Sequence, residues 1–139
     1  YLRDISKLIK KNTGGLLLFD YGYTEKKMKN TLKAVSNHKI ANILTDKGNV
    51  DITHNINFYL FKRFVEKMGG LKNNITSQRN FLLRMGIQQR AEIISKNLDF
   101  SKKADIYFRF KRLTDENQMG NLFKVMLIKN QKNKFNLGF

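Results

Sequence analysis

An unbroken apolar run, Leu16-Leu17-Leu18-Phe19, follows Gly14-Gly15 and closes abruptly on Asp20, Tyr21, Gly22 and Tyr23. An apolar run of about four to eight residues bounded by turn residues reads as a strand buried on both faces of a parallel sheet. Ligands of open α/β sheets sit at the carboxyl ends of such strands, so Asp20 and Tyr21 are expected to point into a cleft. Upstream, Leu2, Ile5, Leu8 and Ile9 keep helical spacing, and Gly14-Gly15 is expected to supply the left-handed residues that end the helix. A parallel strand needs neighbours, and residue one is Tyr1 rather than methionine. The expectation is therefore the carboxyl-terminal part of a larger α/β protein.

The 34 positions from Thr24 to Asn57 are polar, and their apolar residues keep no sustained period. A connection of that length after a sheet strand reads as a substrate loop, because structureless loops above about 15 residues are uncommon. Phe58, Phe61, Phe64, Val65 and Met68 mark one face of a helix, capped by Thr53 or Asn55 and stopped at Gly69-Gly70. Leu71 to Thr76 reads as a short strand. Phe81-Leu82 with Met85, then Ile93-Ile94, predict two short helices broken at Gly86, and Ile106, Phe110 and Leu113 predict another. Met119-Gly120 is expected to end a short helix. Leu122 to Ile128 predicts a last strand, and Lys129 to Phe139 a polar, frayed tail. The working division is residues 1–129 as folded domain and 130–139 as tail.

The net charge of +16 raises the question of nucleic acid, since clustered cations release counterions from phosphates. The cations are twenty lysines and seven arginines spread from Arg3 to Lys134, without arginine forks or stacked aromatics in one place. That distribution argues against a nucleic-acid partner, although a basic nucleic-acid-binding module stays as a competing reading. No apolar stretch approaches the roughly 20 residues of a membrane span. With no cysteine, disulfides, thiolate nucleophiles and Cys-ligated metals are excluded from this segment, and a cytoplasmic location is expected. His38 and His54 lack metal-ligand spacing, so no metal is expected.

The ordered pieces resemble a known family. They are Gly14-Gly15 through Asp20-Tyr21-Gly22; Thr31-Leu32-Lys33-Ala34-Val35 to His38; Gly48 through Asp51-Ile52-Thr53 to Phe58; and Ser77-Gln78 with Phe81-Leu82. They continue with Met85-Gly86-Ile87 to Arg90, Arg112-Leu113-Thr114 to Met119-Gly120, and Leu122-Phe123-Lys124-Val125. In this order and spacing the chain resembles the MidA-like S-adenosylmethionine-dependent methyltransferases, which include a mitochondrial protein-arginine methyltransferase acting in respiratory complex I assembly.

The resemblance implies an α/β fold, the carboxyl-terminal part of a Rossmann-like class I methyltransferase. Leu16–Phe19 would be its fifth strand, Leu71–Thr76 its sixth, and Leu122–Ile128 its seventh, lying antiparallel between them, with a helical insertion. The cofactor, S-adenosylmethionine, would be held mainly by an amino-terminal half, because Gly14-Gly15 precedes its strand and cannot serve as the cofactor loop. The implied partner is a protein substrate, with arginine as acceptor, and by analogy a respiratory complex I subunit. A sheet edge left open by absent strands would favour association.

Methyl transfer to a guanidine needs an aligned nitrogen and carboxylates to hold its charge. Asp20 and Asp51 are the catalytic candidates; Tyr21, Tyr23 and His38 are the substrate-binding ones. The structural alternatives are a cap or turn for each acid and packing for each tyrosine. Gln78 and Arg90 are expected to fix the helical insertion. The chain departs from the family pattern at Tyr23, where histidine is frequent, and at Asn30, where aspartate is. It departs again at His54, Asn55 and Asn57, where two possible acids have become amides, while Ile56 keeps the branched residue. Those departures leave a third reading, a non-catalytic remnant of a split gene.

Overall fold

The computed structural model describes residues 1–37, 39–44 and 48–139. In chain order the elements are α1 (Leu2–Asn12), β1 (Gly15–Tyr23), β2 (Lys33–Ser36), β3 (Lys39–Ala41), β4 (Asp51–Thr53), β5 (Ile56–Asn57) and α2 (Phe58–Met68). They continue with β6 (Leu71–Ser77), α3 (Gln78–Arg84), α4 (Ile87–Ser95), α5 (Phe100–Thr114), α6 (Met119–Leu122) and β7 (Phe123–Asn130). Two sheets form among the described residues, a mixed one in the order β5-β1-β7-β6 and a small antiparallel one in the order β3-β2-β4.

The mixed sheet has the arrangement the resemblance implies: β7 runs antiparallel to both β1 and β6 and lies between them. Its central position explains its burial, with Val125, Met126 and Ile128 almost wholly withdrawn from solvent. The core joins Met126 and Ile128 to Phe58 and Val65 of α2, Ile9 of α1 and Leu71, with Leu16 and Leu18 packed against it.

β1 departs from its expected burial on both faces. Leu16 and Leu18 turn towards the core, but Leu17, Phe19 and Tyr21 are 42–44% exposed. The helices α1 and α2 cover one face, whereas the other receives chiefly the Phe81 ring, edge-on to Phe19 at 5.1 Å. The parallel partner is also short, since β5 pairs with β1 only at Gly22 and Tyr23.

Several local expectations are corrected. Thr13, not the glycine pair, takes the left-handed conformation after α1, at φ 51°; Gly15 is already in β1 opposite Lys129. α2 has the expected bounds, but its cap is Asn57, whose side chain accepts from the Leu60 N–H at 3.2 Å. Thr53 is occupied in β4, and the Asn55 N–H is bound by the Thr31 hydroxyl at 3.0 Å. Met119-Gly120 opens α6 rather than ending a helix. A Cβ on Gly120 would stand 2.5 Å from the Thr114 carbonyl oxygen, so the chain crossing there requires glycine.

The segment expected as a loop holds β2, β3, β4 and β5. The tail folds back instead of fraying: Asn136 accepts from Asn74 at 2.7 Å, Asn133 donates to the Thr13 carbonyl, and the Phe139 ring lies 5.4 Å from Phe81. β7 also extends past Ile128, because Asn130 donates to the Lys10 carbonyl at 2.9 Å and Lys129 to that of Phe135.

The helical insertion is as expected, with Gly86 left-handed at φ 82° between α3 and α4. Buried Gln78 ties it down by donating to the Leu113 carbonyl at 3.0 Å. The arginine that fixes α5 is Arg79, which donates to the Thr114 carbonyl at 2.8 Å. Arg90 instead lines the groove between α4 and α5.

Candidate functional site

Where β1 and β5 end side by side, the chain makes a cleft. Gly22 opposes Ile56 and Tyr23 opposes Asn57 in parallel register. The approach is close: a Cβ on Gly22 would stand 2.5 Å from both the Ile56 carbonyl oxygen and the Phe58 ring. Glycine at that position therefore seals the sheet against α2. It offers no opening to a bound group.

Tyr23 is 6% exposed and organises the wall above the strand ends. Its hydroxyl accepts from the Lys29 N–H at 3.1 Å and stands 3.9 Å from the Met28 sulfur. The Lys29 ammonium lies 5.0 Å over the same ring and pairs with Glu25 at 2.5 Å. Asn57, besides capping α2, donates its amide to the Met28 sulfur at 3.4 Å. Residues 24–32 are thus folded over the carboxyl ends of the strands by one tyrosine and one asparagine.

The open cavity between them measures about 500 Å³. Leu32, Ile56, Leu60 and Phe61 supply apolar walls; Asn30, His54 and Asn55 supply polar groups, and Lys29 an ammonium. Among the described residues, no carboxylate lines it. Nearby, Lys29 holds the Glu25 carboxyl below its ordinary value. Burial pulls the Lys124 ammonium down from its own, with Glu25 opposing that shift.

The structure brings together only some of the residues singled out by sequence. Tyr23 lines the cavity. Tyr21 is half-exposed, and its ring packs on Phe123 at 4.0 Å between centroids. Asp20 is next to Tyr21 but, by strand alternation, on the opposite face, with one carboxylate oxygen accepting the Tyr21 N–H at 2.7 Å. Asp51 begins β4 in the other sheet, exposed, beside a shallow hollow lined by Val35, Ser36, Asn37 and Asn49. His38 lies outside the described residues.

Met28, Asn57, His54 and Leu60 were not singled out as site residues. One signal was present: Tyr23, Asn30, His54, Asn55 and Asn57, where the chain departs from the family pattern, all line this one cavity. Their convergence requires the β1–β5 pairing, which sequence reading did not supply. No group of three or more potential metal ligands occurs among the described residues.

Comparison with known proteins agrees with this geometry. Residues 1–76 match the model of the family described as "Putative S-adenosyl-L-methionine-dependent methyltransferase". The mitochondrial protein arginine methyltransferase NDUFAF7 of Xenopus laevis is 27% identical over 128 residues, which cover 91% of this chain and 29% of that protein. Two crystal structures of proteins of one superfamily from Burkholderia thailandensis share the fold. One superposes with a TM-score of 0.82 at 23% identity, the other, bound to S-adenosyl-homocysteine, with 0.80 at 22%. Each match covers 99% of this chain and 37% of the solved one. The chain spans less than a third of the length of the curated relatives it matches.

Proposed function

The chain belongs to a family of S-adenosyl-L-methionine-dependent methyltransferases, and we propose that these 139 residues form the acceptor side of such an enzyme, most of the cofactor's seat lying outside them. The observation that carries this reading is the cavity of about 500 Å³ at the carboxyl ends of the parallel strands β1 and β5. Ligands of α/β sheets bind in that position. The described residues do not fit the cofactor by themselves: Gly22, the glycine at the strand ends, is packed under Phe58.

When bound, the cofactor supplies an electrophilic methyl group on a sulfonium. This chain's residues would supply the rest. Leu32, Ile56, Leu60 and Phe61 exclude water from the acceptor; Asn30, Asn55 and His54 orient it through hydrogen bonds. Asp20 does not line the cavity, but its second carboxylate oxygen has no partner among the described residues, so it is the acid this reading assigns to a positively charged acceptor nitrogen.

The acceptor we propose is a protein side chain, arginine first, because the relatives' names give arginine. A respiratory complex I subunit is the finer candidate for the substrate. Location is open between the cytoplasm, expected from composition, and the mitochondrion, which the relatives' names carry. No helix among the described residues is long and apolar enough to cross a membrane.

The test uses the native gene product with labelled S-adenosyl-L-methionine and an arginine-bearing protein. Label should enter the protein, and Asp20→Asn should lower kcat about a hundredfold, as for loss of a positioned acid, with cofactor affinity unchanged. Absence of transfer by native protein that binds the cofactor would sink the catalytic reading. It would favour the second one, a non-catalytic member, which the described lining of the cavity, without a carboxylate, supports.

A further inference from the structure

On the far side of the sheet from the cleft, β6 forms the outer edge: in the order β5-β1-β7-β6 it is paired through β7 alone among the described residues. An edge strand keeps a row of N–H and C=O groups free for another strand. Along Asn73 to Thr76 this edge forms the floor of a concavity of about 490 Å³. Lys62 of α2 and Arg84 of α3 flank it, with the Phe139 ring beside them, and among the described residues no carboxylate is in its lining. Lys62 is 3.9 Å from Glu66, an exposed pair of small worth. Arg84 has no ion pair among the described residues.

The two cations stand on opposite faces of the sheet. α2 packs on the face that carries Leu16 and Leu18, whereas α3 packs on the face of Phe19 through Phe81. Successive side chains of a strand point to opposite faces. A strand laid against β6 therefore meets both cations with two consecutive acids, and a third side chain reaches the Phe139 ring.

We propose that this edge docks an extended acidic segment of a partner protein, with main-chain hydrogen bonds to β6 and adjacent acids to Lys62 and Arg84. Strand addition of this kind draws affinity from the backbone and specificity from alternate side chains. A second copy of the chain is a poorer occupant, since it would set Lys62, Lys72 and Arg84 against themselves on a molecule of net charge +16. The proposal does not depend on methyl transfer.

The experiment titrates the isotope-labelled 139-residue chain with the peptide acetyl-Val-Asp-Glu-Val-amide and reads backbone amide shifts. Shifts should concentrate on Asn73 to Thr76 and on Lys62 and Arg84. Arg84→Glu, at an exposed position, should weaken binding about tenfold, and a peptide N-methylated along its backbone should bind more weakly still. Equal binding of acetyl-Val-Lys-Lys-Val-amide, or shifts that fall elsewhere or not at all, would overturn the proposal. So would tighter binding of a short oligothymidylate at the same residues, which would assign the edge to nucleic acid. A dimer that forms without peptide and buries β6 would assign it to self-pairing.

Discussion

At the scale of single residues, the cleft depends on what is left out at Gly22. Any side chain there would drive a carbon to 2.5 Å from the Ile56 carbonyl and the Phe58 ring, two groups held by a strand and a fully buried core position. Gly22→Ala should therefore cost about 1–3 kcal/mol, the range for overpacking a tight site. The denaturant midpoint measures it, and an unchanged midpoint would show that β5 and α2 yield easily. Sequence marked Gly22 only as a turn residue closing an apolar run, because the ring that fills its space arrives from 36 positions later in the chain. Asn57 was hidden for a similar reason. Its amide serves α2 through Leu60 and the overlying loop through Met28, and only the fold places both partners around it.

At the scale of elements, period and length decided what could be read. α2 emerged with its observed bounds, since five apolar residues share one face and two glycines of positive φ stop it. Gly86 likewise marked the break between α3 and α4. β2, β3 and β4 were invisible because each is only three or four residues long; β3 and β4 are mostly exposed and β2 buries Ala34 alone, so neither face imposes alternation. Their register comes from antiparallel pairing alone.

α5 carries a prediction in pH. Asp99 caps it by accepting from the Lys102 N–H at 3.0 Å, and that bond, with the Lys102 side chain, lowers its pKa from the ordinary 3.8. A carboxylate lowered on folding stabilises the folded state above its unfolded value and loses that contribution as pH falls through the folded one. Acidification below 3.8 should thus loosen the start of α5, seen as faster amide exchange at Lys102. Asp99→Asn should keep the cap and abolish this pH dependence; persistence of the dependence in that variant would assign it to another acid.

At the scale of the whole molecule, the resemblance anticipated the central antiparallel β7 and the cofactor class, because ordered motifs carry topology that local periodicity cannot. It did not anticipate that the positions of divergence converge on one cavity whose described lining carries Lys29 and no carboxylate. The account rests on that cavity being where the acceptor enters. Leu32 offers the most direct test, since it lines the cavity yet is 50% exposed and can change without disturbing the core. Labelled methyl transfer by the native gene product should be compared with that of its Leu32→Lys variant, cofactor affinity being measured beside it. A lysine there repels a cationic acceptor, so the account predicts about a tenfold or greater fall in kcat/KM with cofactor affinity unchanged; undiminished transfer would contradict it.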